Sequence, residues 1–247
     1  MKRLLIIGLL FLIGNPIYAA WTEQTRDTSG IEITVSTVTT RVRQIIDDPW
    51  STNGTVRYSS DTIQGIIDMG NKSICIQTRA LTSWATQQLV AGTTEYALPS
   101  DCLYLERTTL NIQDGEGDQY LPQKTVWGMD MDDKTWSIQT SSPTAYYLRN
   151  RYMGFFPAPD SSGAVVTIWY TKTPATLTSQ SDKIFDGMTV MQPYWECLAM
   201  FTAAKIALIE GNTNLYSALA LDFKNQLEEM VSYMKENPTQ IPRGVNQ

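Results

Sequence analysis

The hydrophobic period of this chain changes twice along its length, and that change limits the folds open to it. Both ends repeat their apolar residues at helical spacing, whereas the middle alternates and turns. Val38, Val42, Ile45 and Ile46 fall at i, i+4, i+7 and i+8, which predicts a helix over about 35–47. Ser36 or Thr37 is placed to cap it and Asp48-Pro49 to stop it. A second helix is predicted from Ser59-Ser60-Asp61, where Asp61 and Gln64 have capping-box spacing. Ile63, Ile66, Ile67, Gly70 and Ile74 carry the same period, with Leu81 further on, and the helix is expected to reach 79–84.

From Trp84 to Thr173 the pattern is that of strands and turns. Thr94–Leu98, Leu103–Arg107, Ala145–Leu148, Tyr152–Phe156 and Ala164–Tyr170 read as strands, and Thr125–Met131 as a short helical turn. Asp114-Gly115-Glu116-Gly117-Asp118 reads as a hairpin turn, and Pro157-Ala158-Pro159-Asp160 reverses the chain again. After a loop over 171–181, helical spacing returns. Gln192–Ile209 carries Trp195, Leu198, Ala199, Thr202, Ile206 and Ile209 on one side and ends at Gly211-Asn212. Leu215–Lys235 follows, with Leu219, Phe223, Leu227, Met230, Val231 and Met234 apolar, and stops at Asn237-Pro238. Neither helix pair can bury its apolar face alone. The expected fold is therefore α+β: a small bundle of two N-terminal and two C-terminal helices with an inserted antiparallel β block. The expected divisions are a leader (1–20), a linker (21–30), helices (31–84), β block (85–175), helices (176–238) and a polar tail (239–247).

The leader has its own logic. Lys2 and Arg3 precede an apolar run from Leu4 to Ile13, then Gly14-Asn15-Pro16 and Ala19-Ala20. This is the layout of a secretory signal, and the run is short for a membrane span. Two readings stand side by side: an export or inner-membrane address, and a retained apolar arm that docks on a partner. Without these residues, 17 basic side chains face 25 acidic ones, and the formal charge moves from −6 to −8.

The chemistry on offer is narrow. The chain has no histidine, which excludes Ser-His-Asp and Cys-His nucleophile systems and the HExxH zinc site. Its acidity argues against a broad basic face for nucleic acid. Cys75, Cys102 and Cys197 are too few and too scattered for a disulfide framework. They read as buried small hydrophobes. Eight carboxylates lie between Asp101 and Asp133, densest at Asp130, Asp132 and Asp133. The run from Asp114 lacks an EF-hand's twelfth-position Glu, having Thr125 there, so these acids read as turn and surface residues. The aromatic residues read as core, and Tyr146-Tyr147 with Arg149 and Arg151 as strand packing. No P-loop or dinucleotide fingerprint is present. No cofactor, metal or catalytic group is expected. The chain reads as a structural or interaction protein, with an exported periplasmic or surface-binding protein, its signal peptide cleaved, as the alternative.

The order of these cues resembles the head–tail adaptor (connector) proteins of tailed bacteriophages. The resemblance is carried by Val38–Asp48, by Arg57-Tyr58-Ser59-Ser60-Asp61 leading into a helix with Asn71 in its middle, and by Tyr96-Ala97-Leu98-Pro99-Ser100-Asp101 before the strand of Leu103–Arg107. Pro143-Thr144-Ala145-Tyr146-Tyr147, then Phe155-Phe156-Pro157-Ala158-Pro159, the strand Val165–Tyr170, Ser181-Asp182 and the paired C-terminal helices complete it. It covers most of Ile31 to Pro238; the leader has no counterpart there. The resemblance implies a virion protein forming a homo-oligomeric ring, a dodecamer, beneath the portal protein. Such a ring extends the channel for double-stranded DNA and docks tail or nozzle proteins. It further implies that the tail, with Thr239, Gln240, Ile241, Pro242 and Arg243, reaches the portal. Acids repel phosphate and let DNA slide, so Asp114, Glu116, Asp118, Asp130, Asp132 and Asp133 are expected to face the lumen.

Overall fold

The computed structural model describes residues 22–24, 33–48, 56–112, 117–132 and 134–236. The leader, the Asn53-Gly54 loop, Asp114, Glu116, Asp133 and the tail from Asn237 onward lie outside the described residues. The elements in chain order are β1 (Thr22–Gln24), α1 (Val35–Ile45), α2 (Ser60–Thr78), β2 (Thr82–Gln88), β3 (Glu95–Ala97), β4 (Cys102–Asn111), β5 (Asp118–Tyr120), α3 (Val126–Asp132), β6 (Ala145–Arg149), β7 (Tyr152–Phe156), β8 (Val165–Lys172), α4 (Trp195–Ile209) and α5 (Thr213–Glu236). The class is α+β, as expected.

α1 and α2 form where their apolar stripes lie, but their ends depart from expectation. Neither Ser36 nor Thr37 caps α1. Thr34 holds the cap position with extended backbone, and its side chain caps no helix amide. The first amides, Val35 N–H and Ser36 N–H, instead donate to the carbonyls of Asp182 and Gln180, both at 2.9 Å, so a distant loop satisfies donors a helix start leaves open. α2 starts at the expected Ser59-Ser60-Asp61, but its cap is Ser59 and not Asp61, with Ser59 Oγ accepting from Thr62 N–H at 3.1 Å. The capping-box reach of Gln64 is not made, because its side chain bonds Leu177 and Gln180. α2 ends at Thr78, short of 79–84. Arg79 turns left-handed (φ 51°) and donates its N–H to Cys75 O, and Trp84 is needed in β2, opposite Trp169.

α4 packs against α1, α2 and α5. Its spacing predicts one buried side, but Cys197, Leu198, Ala199, Thr202, Ala203, Ala204, Ile206 and Ala207 are all buried, as suits a helix apolar around most of its girth. Trp195 is only half-buried and Ile209 is 67% exposed. Its corner with α5 closes as a Schellman turn: Asn212 N–H donates to Ala207 O, Gly211 N–H to Leu208 O, and Gly211 takes φ 72°. Asn212 Oδ1 then accepts from Leu215 N–H at 3.1 Å, starting α5. The helical core also takes in Ala80, Leu81, Leu177, Ile184 and Phe185.

The β elements form two antiparallel sheets, one ordered β1-β2-β8-β4-β5 and the other β3-β7-β6. Their facing sides share one apolar cluster, including Leu110, Val166, Ile168 and Tyr170 from the first sheet and Tyr96, Tyr146, Met153 and Phe155 from the second. The expected hairpin is present, with Asn111 paired to Asp118. β1 stands inside the stretch read as linker and pairs with the edge of β2.

Residues 173–188 form a strap across α1 and α2 rather than a plain loop. Gln64, Asp68, Asn71 and Lys72 of α2 hold it. Asp68 Oδ1 accepts from Leu177 N–H at 3.0 Å and Asn71 Oδ1 from Phe185 N–H at 2.9 Å. Lys72 Nζ donates to Thr176 Oγ1 at 3.0 Å. Phe185 and Asp186 sit at φ 52° and 51°, a region side-chain-bearing residues occupy at a cost. The Asp186 carboxylate offsets it by accepting from Ala175 N–H and pairing with Lys172 at 2.6 Å.

Candidate interaction surfaces

The residues that carried the motifs of the sequence are used at the joints of this frame. Arg43 and Asp48 are buried together, with Arg43 Nη1 donating to Asp48 Oδ2 at 2.7 Å. Arg43 Nη2 also donates to Tyr58 O at 2.9 Å, and Asp48 Oδ1 accepts from Arg57 N–H at 3.0 Å. The end of α1 is thereby tied to the entry of α2. Arg57 and Tyr58 reach onward to Glu210, at the end of α4, at 2.7 and 3.1 Å. The Glu210 carboxylate raises the Arg57 guanidinium's pKa; burial raises the Tyr58 hydroxyl's, with the Glu210 bond next. In the strap, Asp182 accepts from Thr178 N–H at 2.6 Å and Ser179 N–H at 2.8 Å. Those bonds hold its carboxyl below the usual range.

The smaller sheet has a joint of its own. Glu95, Gly154 and Tyr147 share one cross-strand row. A Cβ on Gly154 would lie within the Tyr147 ring, so glycine there lets the ring cross to Glu95, which accepts from its hydroxyl at 3.0 Å. Burial, with the carboxylate adding to it, pushes the Tyr147 hydroxyl up to about 12. Arg149 pairs with the same carboxylate at 2.7 Å, and Arg151 donates to the carbonyls of Pro99 and Ser100. Tyr146-Tyr147 and the two arginines are thus framework. Cys75 and Cys197 are buried as expected, whereas Cys102 is half-buried; burial raises all three thiols, Cys102 to about 11 and Cys197 to about 12.

The expected lumen acids are not gathered into one described cluster. Asp118 is exposed and accepts from Asn111 Nδ2 at 3.0 Å. Asp130 Oδ1 accepts from the Trp136 indole N–H at 2.6 Å, and Asp132 lies 3.9 Å from Lys124. Among the described residues, no three Cys, Asp or Glu converge as a metal site would require, and no helix is long and apolar enough to cross a membrane.

Two surfaces stand out that the sequence reading missed. α3 exposes Trp127 (73%) and Met131 (70%) and buries Met129 between them; Ile138, in the turn after it, is 79% exposed. A seven-residue helix offers too little length for its period to reveal which side faces out. The outer face of the larger sheet carries Trp84, Trp169 and Arg107 in one row. Bulges in β4 between Cys102 and Tyr104 and between Leu105 and Arg107 bring Tyr104 and Arg107, three apart in sequence, to that same face. No pattern of alternation discloses a bulge.

No curated protein matches the chain. A family model described as SU10 adaptor protein matches residues 33–244, a span holding every described element except β1. The chain belongs to the SU10 adaptor protein family, the phage head–tail adaptors its motifs resemble.

Proposed function

We propose that this chain is a head-to-tail adaptor that forms a ring below the portal, extends the DNA channel and docks tail or nozzle proteins. The observation that carries the reading is the family match, which spans both helix pairs and both sheets. The frame supports it. Buried Arg43, Asp48 and Asn71 tie helix ends and strap to one another, and Lys172 of β8 pairs with Asp186 of the strap, as a part that transmits load between head and tail requires. The ring is a dodecamer of this chain, and Thr239, Gln240, Ile241, Pro242 and Arg243 reach the portal. The hairpin turn with Asp114, Glu116 and Asp118 lines the lumen, where carboxylates repel passing double-stranded DNA. Asp130 and Asp132, engaged by Trp136 and near Lys124, are not assigned to that wall.

The test mixes purified chain with the portal oligomer and follows both by sedimentation. The reading expects a ring that travels with the portal; a chain that stays monomeric and leaves the portal free overturns it. The leader favours a second reading, an exported periplasmic or surface-binding protein. Intact-mass analysis separates the two, since loss of the segment through Ala19 in a monomeric product supports export.

A further inference from the structure

We propose that the α3 surface of one copy docks on the outer sheet face of a neighbouring copy. The inference rests on the ring reading above and names the surfaces that build the ring. The α3 surface and the rim of the outer sheet face, with Tyr104 and Tyr120, are exposed within one chain, while Trp169 at the centre of the sheet is buried (9%); the two exposed surfaces complement each other. The inner face of the larger sheet is closed by the smaller sheet. On the outer face, Arg107 lies over the Trp169 ring at 5.3 Å and Arg79 over the Tyr104 ring at 4.4 Å. Among the described residues neither arginine pairs with a carboxylate. Tyr104 is 41% and Tyr120 60% exposed, and Trp84 is half-buried. Glu106, at the bulge, is already engaged by Thr171 Oγ1 at 2.8 Å. The face is therefore aromatic with a positive edge.

The α3 surface is apolar and edged by charge, with Asp130 and Asp132 beside Lys124, which lies 3.9 Å from Asp132. Trp127 and Met131 lie at i and i+4 on one side, and the bond from Trp136 to Asp130 draws the Ile138 turn against the helix. Asp130 and Asp132 are exposed beside them. Large exposed apolar side chains rimmed by charge mark interaction surfaces, and Trp, Tyr and Arg are the residues that dominate such contacts. The two surfaces differ, so the contact is head-to-tail: each copy gives its α3 to one neighbour and receives another's on its sheet. Contacts of this kind close into rings when the rotation permits.

The test compares the assembly of parent and variants by analytical ultracentrifugation, with circular dichroism confirming the fold of each. Trp127→Ser changes an exposed side chain and is expected to weaken assembly at least about tenfold, as loss of a central aromatic anchor does. Asp132→Lys and Arg107→Glu are each expected to weaken it several-fold, and the two combined in one chain to recover most of the loss. Folded Trp127→Ser and Arg107→Glu variants that assemble like the parent overturn this inference and leave the ring reading standing. A parent that stays monomeric, alone and with the portal oligomer, overturns both.

Discussion

At the scale of single residues, the frame depends on charges that each have a defined partner. Arg43 and Asp48 are almost fully buried and share bonds with Tyr58 and Arg57. Removing one partner strands the other's charge, so Asp48→Ala is expected to cost about 3 kcal/mol. Urea unfolding measures it, and a change below about 0.5 kcal/mol, the ordinary scatter of surface substitutions, would contradict the account. Asp182 gives a pH signature. Its carboxyl is held low by the amides of Thr178 and Ser179, so folding favours the ionised form. That contribution is present above the ordinary carboxylate value of about 4 and is lost as pH falls through the lower folded value. Asp182→Ala is therefore expected to be less stable than the parent at neutral pH, with the gap narrowing in acid. A gap that stays constant from neutral pH into acid would refute this role.

At the scale of elements, one helix provides a controlled comparison. A Cβ on Gly70 would meet Phe201 Cδ1 at 2.6 Å and Leu198 Cδ1 at 2.7 Å, whereas one on Gly65 would meet nothing within 4 Å. Gly70 thus sets the approach of α2 to α4. Gly65→Ala is expected to stabilise by about 0.5–1 kcal/mol through helix propensity. Gly70→Ala is expected to destabilise by about 1 kcal/mol or more, since overpacking exceeds that gain. Denaturation midpoints that move the same way in both variants would show that Gly70 is not a contact glycine. The same helix shows what the sequence disclosed and what it withheld. The stripe Ile63, Ile66, Ile67, Gly70 and Ile74 was legible because one face meets a core and the other does not. Gln64, Asp68, Asn71 and Lys72 repeat at the same period, but a polar stripe has the same appearance whether it meets water or a strap. The full burial of α4 is not legible, because a helix buried around most of its girth has no polar face to contrast with its apolar one. The candidate surfaces were the least legible part, because the side on which Trp127 emerges and the bulges of β4 are set by tertiary pairing.

At the scale of the whole molecule, the family match over residues 33–244 places this chain among phage head–tail adaptors. The acids that sequence groups together sit on different elements: Asp118 begins β5 at the hairpin, and Asp130 and Asp132 lie on α3. Under the proposed reading, repulsion of DNA falls to the hairpin and contact between copies to α3. The leader precedes the matched span, and its fate decides between the adaptor and the exported protein. The central claim is tested most directly by locating the chain in assembled particles, with a gold label attached near the C-terminus and viewed by electron microscopy. The account predicts label at a single vertex, between the portal and the tail. Particles without label there, with the chain recovered from the periplasm lacking its leader, would contradict it.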